Sequence, residues 1–152
     1  MTRPPLPPGL HGFDDLATGD RIETGAVCVS AQLIDAFAAL TGDRFAIHMS
    51  DAEAVARGFP ARVAHGLLVL SLVEGLKSSA AARIDAFAAL GWTWTFRQPV
   101  LAGDCISALF TVTRLRPVKA GRGLVELTAK VLNQRGEIVQ EGTTRLIARR
   151  AP

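Results

Sequence analysis

The stretch that decides the fold runs from His65 to Lys77 and reads HGLLVLSLVEGLK. Leucine and valine fill most of it, and only Ser71, Glu74 and Lys77 form a polar stripe at helical spacing. The pattern predicts a helix that is apolar around most of its circumference, and such a helix must be buried on nearly all sides. We therefore expect other elements of the chain to wrap around it.

The wrapping elements come after the helix, as four runs in which apolar and polar residues alternate. They cover residues 92–97, 106–113, 125–131 and 138–148. Turn-forming residues at 103–104, 120–123 and 133–136 separate the four strands, so an antiparallel meander is the simplest connection. A group of helices followed by a group of strands is typical of the α+β class. We therefore predict a hot-dog fold, an antiparallel sheet curled around a long buried central helix.

The chain before this helix shows shorter patterns. Residues 26–29 are typical of a short strand, and Ser30 is placed to cap a helix over residues 31–40. Ser50 is placed to cap a second helical segment over residues 50–57. We expect these helices to precede the long buried one.

One heptapeptide, IDAFAAL, occurs twice, at residues 34–40 and 84–90, with no further similarity at that offset. We expect the first copy to be helical. The second copy should lead from a loop into the strand at residues 92–97. Tertiary context would then override identical local sequence.

The N-terminus is proline-rich, with four prolines among residues 4–8. This composition favours an extended, polyproline-like arm, and we expect the arm to be mobile or to lie on a neighbouring subunit. It has no apolar stretch of the kind that a secretory signal needs. We therefore predict an arm over residues 1–12 and a single domain over residues 13–150.

Composition argues against several classes of function. Hydrophobic residues make up 49% of the 152-residue chain, which is enough for a core and argues against global disorder. The net charge is only +3 and the chain has no tyrosine, so it lacks the basic stripe with stacking aromatics that nucleic-acid binders use. The longest apolar stretch, residues 66–76, is too short to span a membrane. We expect no nucleic-acid partner, no membrane partner and a cytoplasmic location.

Cys28 and Cys105 both lie in apolar, strand-like runs. We interpret them as buried thiols in a reducing compartment rather than as a disulfide. Together with His11, His48 and His65 they form no spacing typical of a metal site. The chain also lacks GxGxxG, P-loop and GxSxG motifs, so we expect no metal and no resident cofactor.

Residues 42–49 read GDRFAIHM and show no clean period, so we predict a loop there. This loop holds Asp43 and His48, and a folded loop can aim both side chains at one point. A carboxylate and an imidazole on one water form an acid/base pair, because histidine titrates near neutrality. From spacing alone, a turn or capping role for Asp43 and a structural role for His48 are commoner, so both interpretations stay open.

The residues around this pair resemble a known family. Residues 40–48, LTGDRFAIH, with Ala54 six positions further on, are similar to the hydratase-2 motif of the MaoC-like dehydratases, which include the (R)-specific enoyl-CoA hydratases. Phe59-Pro60 and residues 63–68, VAHGLL, resemble the family's entry into its central helix, and Pro99-Val100 with Gly103-Asp104 resembles its strand-turn signature. The resemblance extends roughly from residue 13 to residue 148.

The resemblance implies a hydro-lyase that adds or removes water across the 2,3 bond of an acyl-CoA thioester. It implies that Asp43 and His48 hold and activate the water, and that the backbone N–H of Gly66 contacts the developing enolate oxygen. An exposed N–H at a helix N-terminus suits that contact on independent grounds. It also implies a homodimer or higher homo-oligomer with acyl-CoA as its small-molecule substrate, in which CoA is part of the substrate rather than a cofactor.

Other residues near the motif are candidates for substrate binding. Phe45-Ala46 stands where the family commonly has Asn-Pro, so Phe45 adds bulk beside the expected pocket and the loop loses a proline. Arg62 and Arg57 could contact the phosphates of CoA, although surface arginines are commonly just solvated. For His65 we favour a structural or interface role over catalysis. Gly66 could also be a packing glycine where helix and sheet approach closely, and both of its roles can hold at once.

Two other functions stay open at this point. A hot-dog thioesterase would use a carboxylate to activate water against the thioester carbonyl, and it would release free CoA thiol. A non-catalytic subunit would bind an acyl thioester without turnover, an alternative that the replacement by Phe45-Ala46 raises.

Overall fold

The computed structural model describes residues 3–150 of the chain. In this range one short 3₁₀ turn, Phe13–Asp15, accompanies the α-helices and β-strands. The helices are α1 (Ala31–Thr41), α2 (Ala46–Met49), α3 (Asp51–Ala56) and α4 (Gly66–Ser78). The strands are β1 (Gly9–His11), β2 (Arg21–Cys28), β3 (Ala82–Ile84), β4 (Ala86–Phe96), β5 (Cys105–Val118), β6 (Arg122–Leu132) and β7 (Ile138–Arg149).

Five strands form the main sheet in the order β2-β5-β6-β7-β4, and all neighbours are antiparallel. The predicted meander is confirmed for β5, β6 and β7. It is wrong for β4, which pairs with β7 at the far edge instead of with β5. The reason lies in residues 97–104, which cross to the extended residues before α4 instead of turning directly back. Ala64 N–H donates to the carbonyl of Val100 (2.7 Å), and Ala102 N–H donates to that of Arg62 (2.9 Å).

Helix α4 packs on the inner face of this sheet. Leu68, Val69 and Val73 are buried in one core cluster with Phe110 of β5. This is the hot-dog arrangement that the sequence predicts. The expected burial on nearly all sides is wrong for the single chain, since Leu67 is 61% exposed. The five-stranded sheet covers one side of the helix and leaves the other open.

The shorter helices begin where their caps predict. Ser30 Oγ accepts a hydrogen bond from Leu33 N–H (3.1 Å) at the start of α1, and Ser50 Oγ accepts one from Glu53 N–H (3.1 Å) at the start of α3. The prediction of a loop is right for residues 42–45 and wrong for residues 46–49, which form α2, a single turn too short to show a period. Within the described part of the chain, every helix is too short or too polar to cross a membrane.

The proline-rich arm lies on its own chain. Pro5 pairs with Arg21, and Leu6 N–H donates to the carbonyl of Arg21 (2.8 Å). Strand β1 then pairs in parallel with β3. The expectation of a mobile arm, or of one on a neighbouring subunit, is therefore wrong for residues 3–12, while residues 1 and 2 lie outside the described range. Strand β2 also begins earlier than predicted, at Arg21 instead of Ala26.

The interpretation of Cys28 and Cys105 as buried thiols is wrong. They lie directly opposite each other in the β2–β5 pair, and their Sγ atoms form a disulfide. Cys28 is also exposed rather than buried. Disulfides are rare in reducing compartments, so the expected cytoplasmic location loses one of its supports and stays a prediction.

The repeated heptapeptide adopts two structures. At residues 34–40 it lies inside α1, which confirms the predicted helix. At residues 84–90 it ends β3 and enters β4, with only Asp85 between the two strands. The second copy therefore becomes a strand earlier than expected.

Candidate active site

A cleft of about 550 Å³ opens at the N-terminal end of α4, and Asp43, His48, His65 and Gly66 all line it. The loop after α1 supplies Asp43, α2 supplies His48, and the start of α4 supplies the other two. A second cleft, of about 360 Å³, lies at the other end of α4 and is lined by none of the predicted site residues. The fold thus brings the predicted acid/base pair and the predicted helix N–H into one cavity.

His48 is held in one tautomer. Its Nδ1 lies 2.7 Å from the carbonyl oxygen of Val63, and because a carbonyl can only accept, Nδ1 carries the proton. Nε2 is then the lone-pair nitrogen of the neutral ring, and no hydrogen bond within residues 3–150 occupies it. Val63 N–H donates in turn to the carbonyl of Ile47 (2.9 Å), so two bonds tie α2 to this segment. His48 therefore offers the cleft a base of fixed orientation.

Burial lowers the pKa of His48 below its ordinary value of 6.5. The residue is only 9% exposed, and burial disfavours the charged ring. The hydrogen bond to Val63 and the charge of Asp43 raise the pKa, while His65 and Arg62 lower it further. The neutral, proton-accepting form is therefore favoured at neutral pH.

We expect the fold to lose stability in acid through His48. The unfolded chain takes up this proton near pH 6.5 whereas the folded site resists it, so the unfolded state binds more protons as the pH falls. The stabilisation is complete above that pH and is lost as the pH falls through the lower folded-state pKa. Urea denaturation at about pH 7.5 and about pH 5.5 measures the change. The loss in the free energy of unfolding between these two pH values should be smaller in His48→Gln than in the wild type. An equal loss in both proteins would contradict the prediction.

His65 connects Asp43 with His48. It is 1% exposed, and its Nε2 donates to the backbone carbonyl of Asp43 (2.8 Å). Its ring stacks on that of His48, with the centroids 3.9 Å apart and 26° between the planes, and Phe37 packs against it edge-on at 5.0 Å. Its buried Nδ1 has no hydrogen-bond partner among the described residues. These contacts suit the structural role favoured from the sequence, and substrate binding by His65 stays a prediction.

Asp43 is the exposed member of the cluster. Its carboxylate accepts a hydrogen bond from Phe45 N–H (3.2 Å), so it does shape the turn. One nitrogen or oxygen from each of Asp43, His48 and His65 lies within 4.8 Å of the others. Two groups at that separation can both hydrogen-bond one water. The turn-forming role and the water-binding role are therefore compatible.

The same three side chains can be tested as a metal site. Their oxygen and nitrogens are close enough, but the rings of His48 and His65 are nearly parallel. Lone pairs in the planes of stacked rings run side by side instead of converging on one ion, as tetrahedral ligation requires. The arrangement suits a water held by Asp43 and His48 better than a coordinated metal.

Gly66 is the first residue of α4, so its N–H points out of the helix end without an intrahelical partner. A methyl group at this position would come within 2.3 Å of the Phe96 ring. The packing role considered from the sequence is therefore real. It is compatible with the N–H contact, because the missing side chain lets Phe96 lie against the helix end.

Phe45 stands apart from the cleft wall. It is 60% exposed, and its ring centroid lies 6.1 Å from that of His48. Ala46 occupies the first position of α2, where a proline would also fit. The chain thus forms the turn without the family's Asn-Pro, and substrate binding by Phe45 stays a prediction.

Arg62 joins two helices. Its guanidinium donates to the backbone carbonyl of His48 and to the carboxylate of Asp35 on α1, and its side chain is 11% exposed. These bonds hold α1 and α2 together beside the catalytic histidine predicted from the sequence. Arg57 forms an ion pair with Glu53. Phosphate binding by either arginine stays a prediction.

Sequence reasoning missed Gln140 and Phe96. Both line the cleft, and they are cross-strand partners in the β4–β7 pair. Gln140 is 2% exposed. A polar residue at an inward position of a strand is costly to bury, and this is the signal that could have identified it.

Comparison with known proteins identifies the family of the chain. Residues 16–135 match the family described as "MaoC like domain". The chain is 32% identical over 109 residues to an (R)-specific enoyl-CoA hydratase of Aeromonas caviae, which covers 72% of this chain and 78% of that protein. The family match includes Asp43, His48 and Gly66.

Solved structures of known proteins match the fold of this chain. A MaoC-like dehydratase from Rhodospirillum rubrum matches with a TM-score of 0.84 at 27% identity, over 93% of this chain and 99% of that one. A Mycobacterium tuberculosis protein described as having a double hotdog fold matches with a TM-score of 0.81 at 25% identity, over 93% of this chain and 45% of that one. The fold and the family match together define a hot-dog hydro-lyase. The chain belongs to the MaoC-like domain family.

Proposed function

We propose that this chain is a hydratase and dehydratase of the (R)-specific enoyl-CoA type. It adds water across the 2,3 bond of a 2-enoyl-CoA and removes water from the 3-hydroxyacyl-CoA. The observation that carries the proposal is the pairing of His48 with Asp43: the bond from Nδ1 to Val63 fixes the tautomer of the ring, and one ring nitrogen lies within 4.8 Å of a carboxylate oxygen of Asp43. The name of the Aeromonas caviae relative supports the substrate class.

In the proposed mechanism Asp43 and His48 hold one water between them. The water oxygen bonds to C3 as the pair accepts one of its protons, and electrons of the C2–C3 double bond move onto the thioester oxygen. The N–H of Gly66 stabilises that oxygen. The electrons then return to form the C2–H bond with a proton from the pair. Dehydration reverses these steps, so the pair removes the C2 proton and protonates the leaving hydroxyl.

The test follows absorbance of the enoyl-thioester band with crotonyl-CoA and with longer and branched enoyl-CoAs. The wild type should consume at least one substrate without releasing free thiol, and Asp43→Asn should abolish that activity. Release of free thiol would identify a thioesterase. Binding without any turnover would identify a non-catalytic acyl-thioester subunit, and either result would overturn the proposal.

We further propose that the chain forms a homodimer, or a higher homo-oligomer, through β4. This strand of 11 residues is an edge of the main sheet. Phe87, Leu90 and Phe96 on it are 49%, 49% and 56% exposed. A long edge strand with exposed apolar side chains readily pairs with another chain. A second copy placed edge to edge would cover these side chains and put the two sheets side by side.

Leu90→Lys is expected to shift the assembly towards monomer, because edge-to-edge pairing would strip water from the lysine charge. We expect the dissociation constant to rise at least about tenfold. Sedimentation velocity over a range of protein concentrations measures the shift. Val55→Lys alters another exposed apolar residue, on α3, and should leave the assembly unchanged. A Leu90→Lys protein that sediments like the wild type would contradict pairing through β4.

A further inference from the structure

The side-chain amide of Gln140 is tied at both ends. The residue lies on β7 and is 2% exposed. The indole N–H of Trp94 donates to its Oε1 (2.7 Å), and its Nε2 donates to the backbone carbonyl of Gly66 (3.1 Å). A buried amide is destabilising unless it is hydrogen-bonded, so these two bonds explain how Gln140 is tolerated on the inner face of the sheet.

The two partners fix the direction in which the amide points. An indole N–H can only donate and a carbonyl can only accept, so turning the amide over would break both bonds. Trp94 lies on the neighbouring strand β4 and packs against the hydrophobic core. The orientation of Gln140 is therefore set by a tryptophan that packs against the core, and its N–H is aimed at Gly66.

The bond to Gly66 acts on the first turn of α4. The carbonyl of Gly66 and the N–H of Leu67 belong to one planar trans peptide, so they point in opposite directions. That N–H points out of the helix end, alongside the N–H of Gly66. A hydrogen bond accepted by the carbonyl polarises the peptide and fixes its plane. Glycine has more backbone freedom than other residues, so an external tether has most effect here.

We propose that Gln140, oriented by Trp94, is a positioning residue that holds the first turn of α4 in the geometry that stabilises the enolate oxygen. The inference rests on the proposed function, in which the N–H of Gly66 contacts that oxygen. The contact strengthens as charge develops in the transition state. Losing the tether therefore lowers kcat and leaves KM nearly unchanged.

Three variants test this role in the hydratase assay. Gln140→Leu removes both hydrogen bonds at similar volume, Trp94→Phe removes the indole N–H together with part of the ring, and Gln32→Leu alters an exposed glutamine of α1 as the control. We expect kcat to fall about 30-fold in Gln140→Leu and about threefold in Trp94→Phe, with KM within about threefold and the control unchanged. A Gln140→Leu kcat within about twofold of the wild type, or a loss confined to KM, would overturn the proposal.

Gln140→Glu adds a readout that a purely structural role would not move. An ionised glutamate can accept from Trp94 but cannot donate to the carbonyl of Gly66, whereas a protonated one can do both. A buried glutamate is protonated more readily than an exposed one. The ratio of variant to wild-type kcat should therefore rise as the pH is lowered from about 8 to about 6. A ratio independent of pH would contradict the tether.

A second measurement does not depend on activity. The amide NMR signals of Gly66 and Leu67 should shift in Gln140→Leu and stay in place in Gln32→Leu, because the lost bond changes the polarisation of the peptide. If the wild type hydrates no enoyl-CoA while these signals shift, the proposed function fails and the tether stands. Unshifted signals would overturn the tether whatever the activity.

Discussion

His48→Gln is expected to lower kcat for enoyl-CoA hydration by about a thousandfold, the typical share of a general acid/base. A glutamine at this position can still donate to the carbonyl of Val63, so the hydrogen bond that holds α2 is preserved. It cannot accept a proton from water. The loss should therefore appear in kcat, with the protein still folded. Initial rates over a range of substrate concentrations, together with circular dichroism, measure both.

His11→Gln is the matched control for this variant. His11 lies on β1, and its ring bonds to the carbonyl of Pro7 away from the cleft, so full activity is expected. The double variant Asp43→Asn/His48→Gln should be no more than about tenfold worse than either single variant, because residues that act on one water are not additive. A His48→Gln enzyme with more than about a tenth of wild-type kcat would mean that another group takes the proton.

Gly142→Ala is expected to destabilise the protein by about 3 kcal/mol, the upper end for overpacking. A methyl group at this position of β7 would lie 2.0 Å from the backbone carbonyl oxygen of Thr93 on β4. Backbone in a paired strand cannot move aside without breaking the ladder. For a chain of this size the change corresponds to a fall in Tm of roughly 10 °C. Differential scanning calorimetry measures it.

Gly75→Ala provides a control of opposite sign. Gly75 lies inside α4, is exposed, and has open space where a methyl group would go. Alanine there is expected to stabilise the helix by about 1 kcal/mol. If both glycine variants changed Tm by the same amount and in the same direction, the close approach at Gly142 could not be the cause.

The sequence predicts elements whose period is visible along several turns or strand pairs. Helix α4 and strands β5 to β7 belong to this group, because each buries one face in the core and therefore shows a clear hydrophobic period in the sequence. The sequence does not predict the pairing of β4 with β7. Which strand β4 pairs with depends on the path of residues 97–104, which cross towards α4. The sequence could not predict the disulfide between Cys28 and Cys105 either. This disulfide depends on the register of β2 against β5, and the two cysteines are 77 residues apart in the chain.

The two copies of IDAFAAL show the limit of local sequence most directly. In the first copy Ile34 and Ala38, four residues apart, are fully buried on one face of α1. In the second copy Ala86, Ala88 and Ala89 pair with β7. The intrinsic preference of these seven residues for helix or strand is weaker than the effect of the tertiary contacts around each copy. Position in the chain decides the structure of each copy.

The candidate site divides in a similar way. The grouping of Asp43, His48 and Gly66 could be predicted, but only through the resemblance to a family, since their spacing alone favoured structural roles. The stacking of His65 on His48 and the tether from Gln140 could not be predicted. Both depend on contacts between elements distant in sequence. The inward position of Gln140 on a strand marks it as unusual, but the sequence does not show which groups its amide contacts.

Side chains of strand β4 contact the site, and the strand edge that faces away from β7 has no partner strand among residues 3–150. Trp94 orients Gln140, and Phe96 lies against Gly66. A strand at a free edge frays more readily than one paired on both sides. If two copies join along β4, dilution frees this edge and loosens both supports of the helix end. Enzyme concentration then becomes a variable that sets activity per chain, and the specific activity of a dilute solution falls below that of a concentrated one.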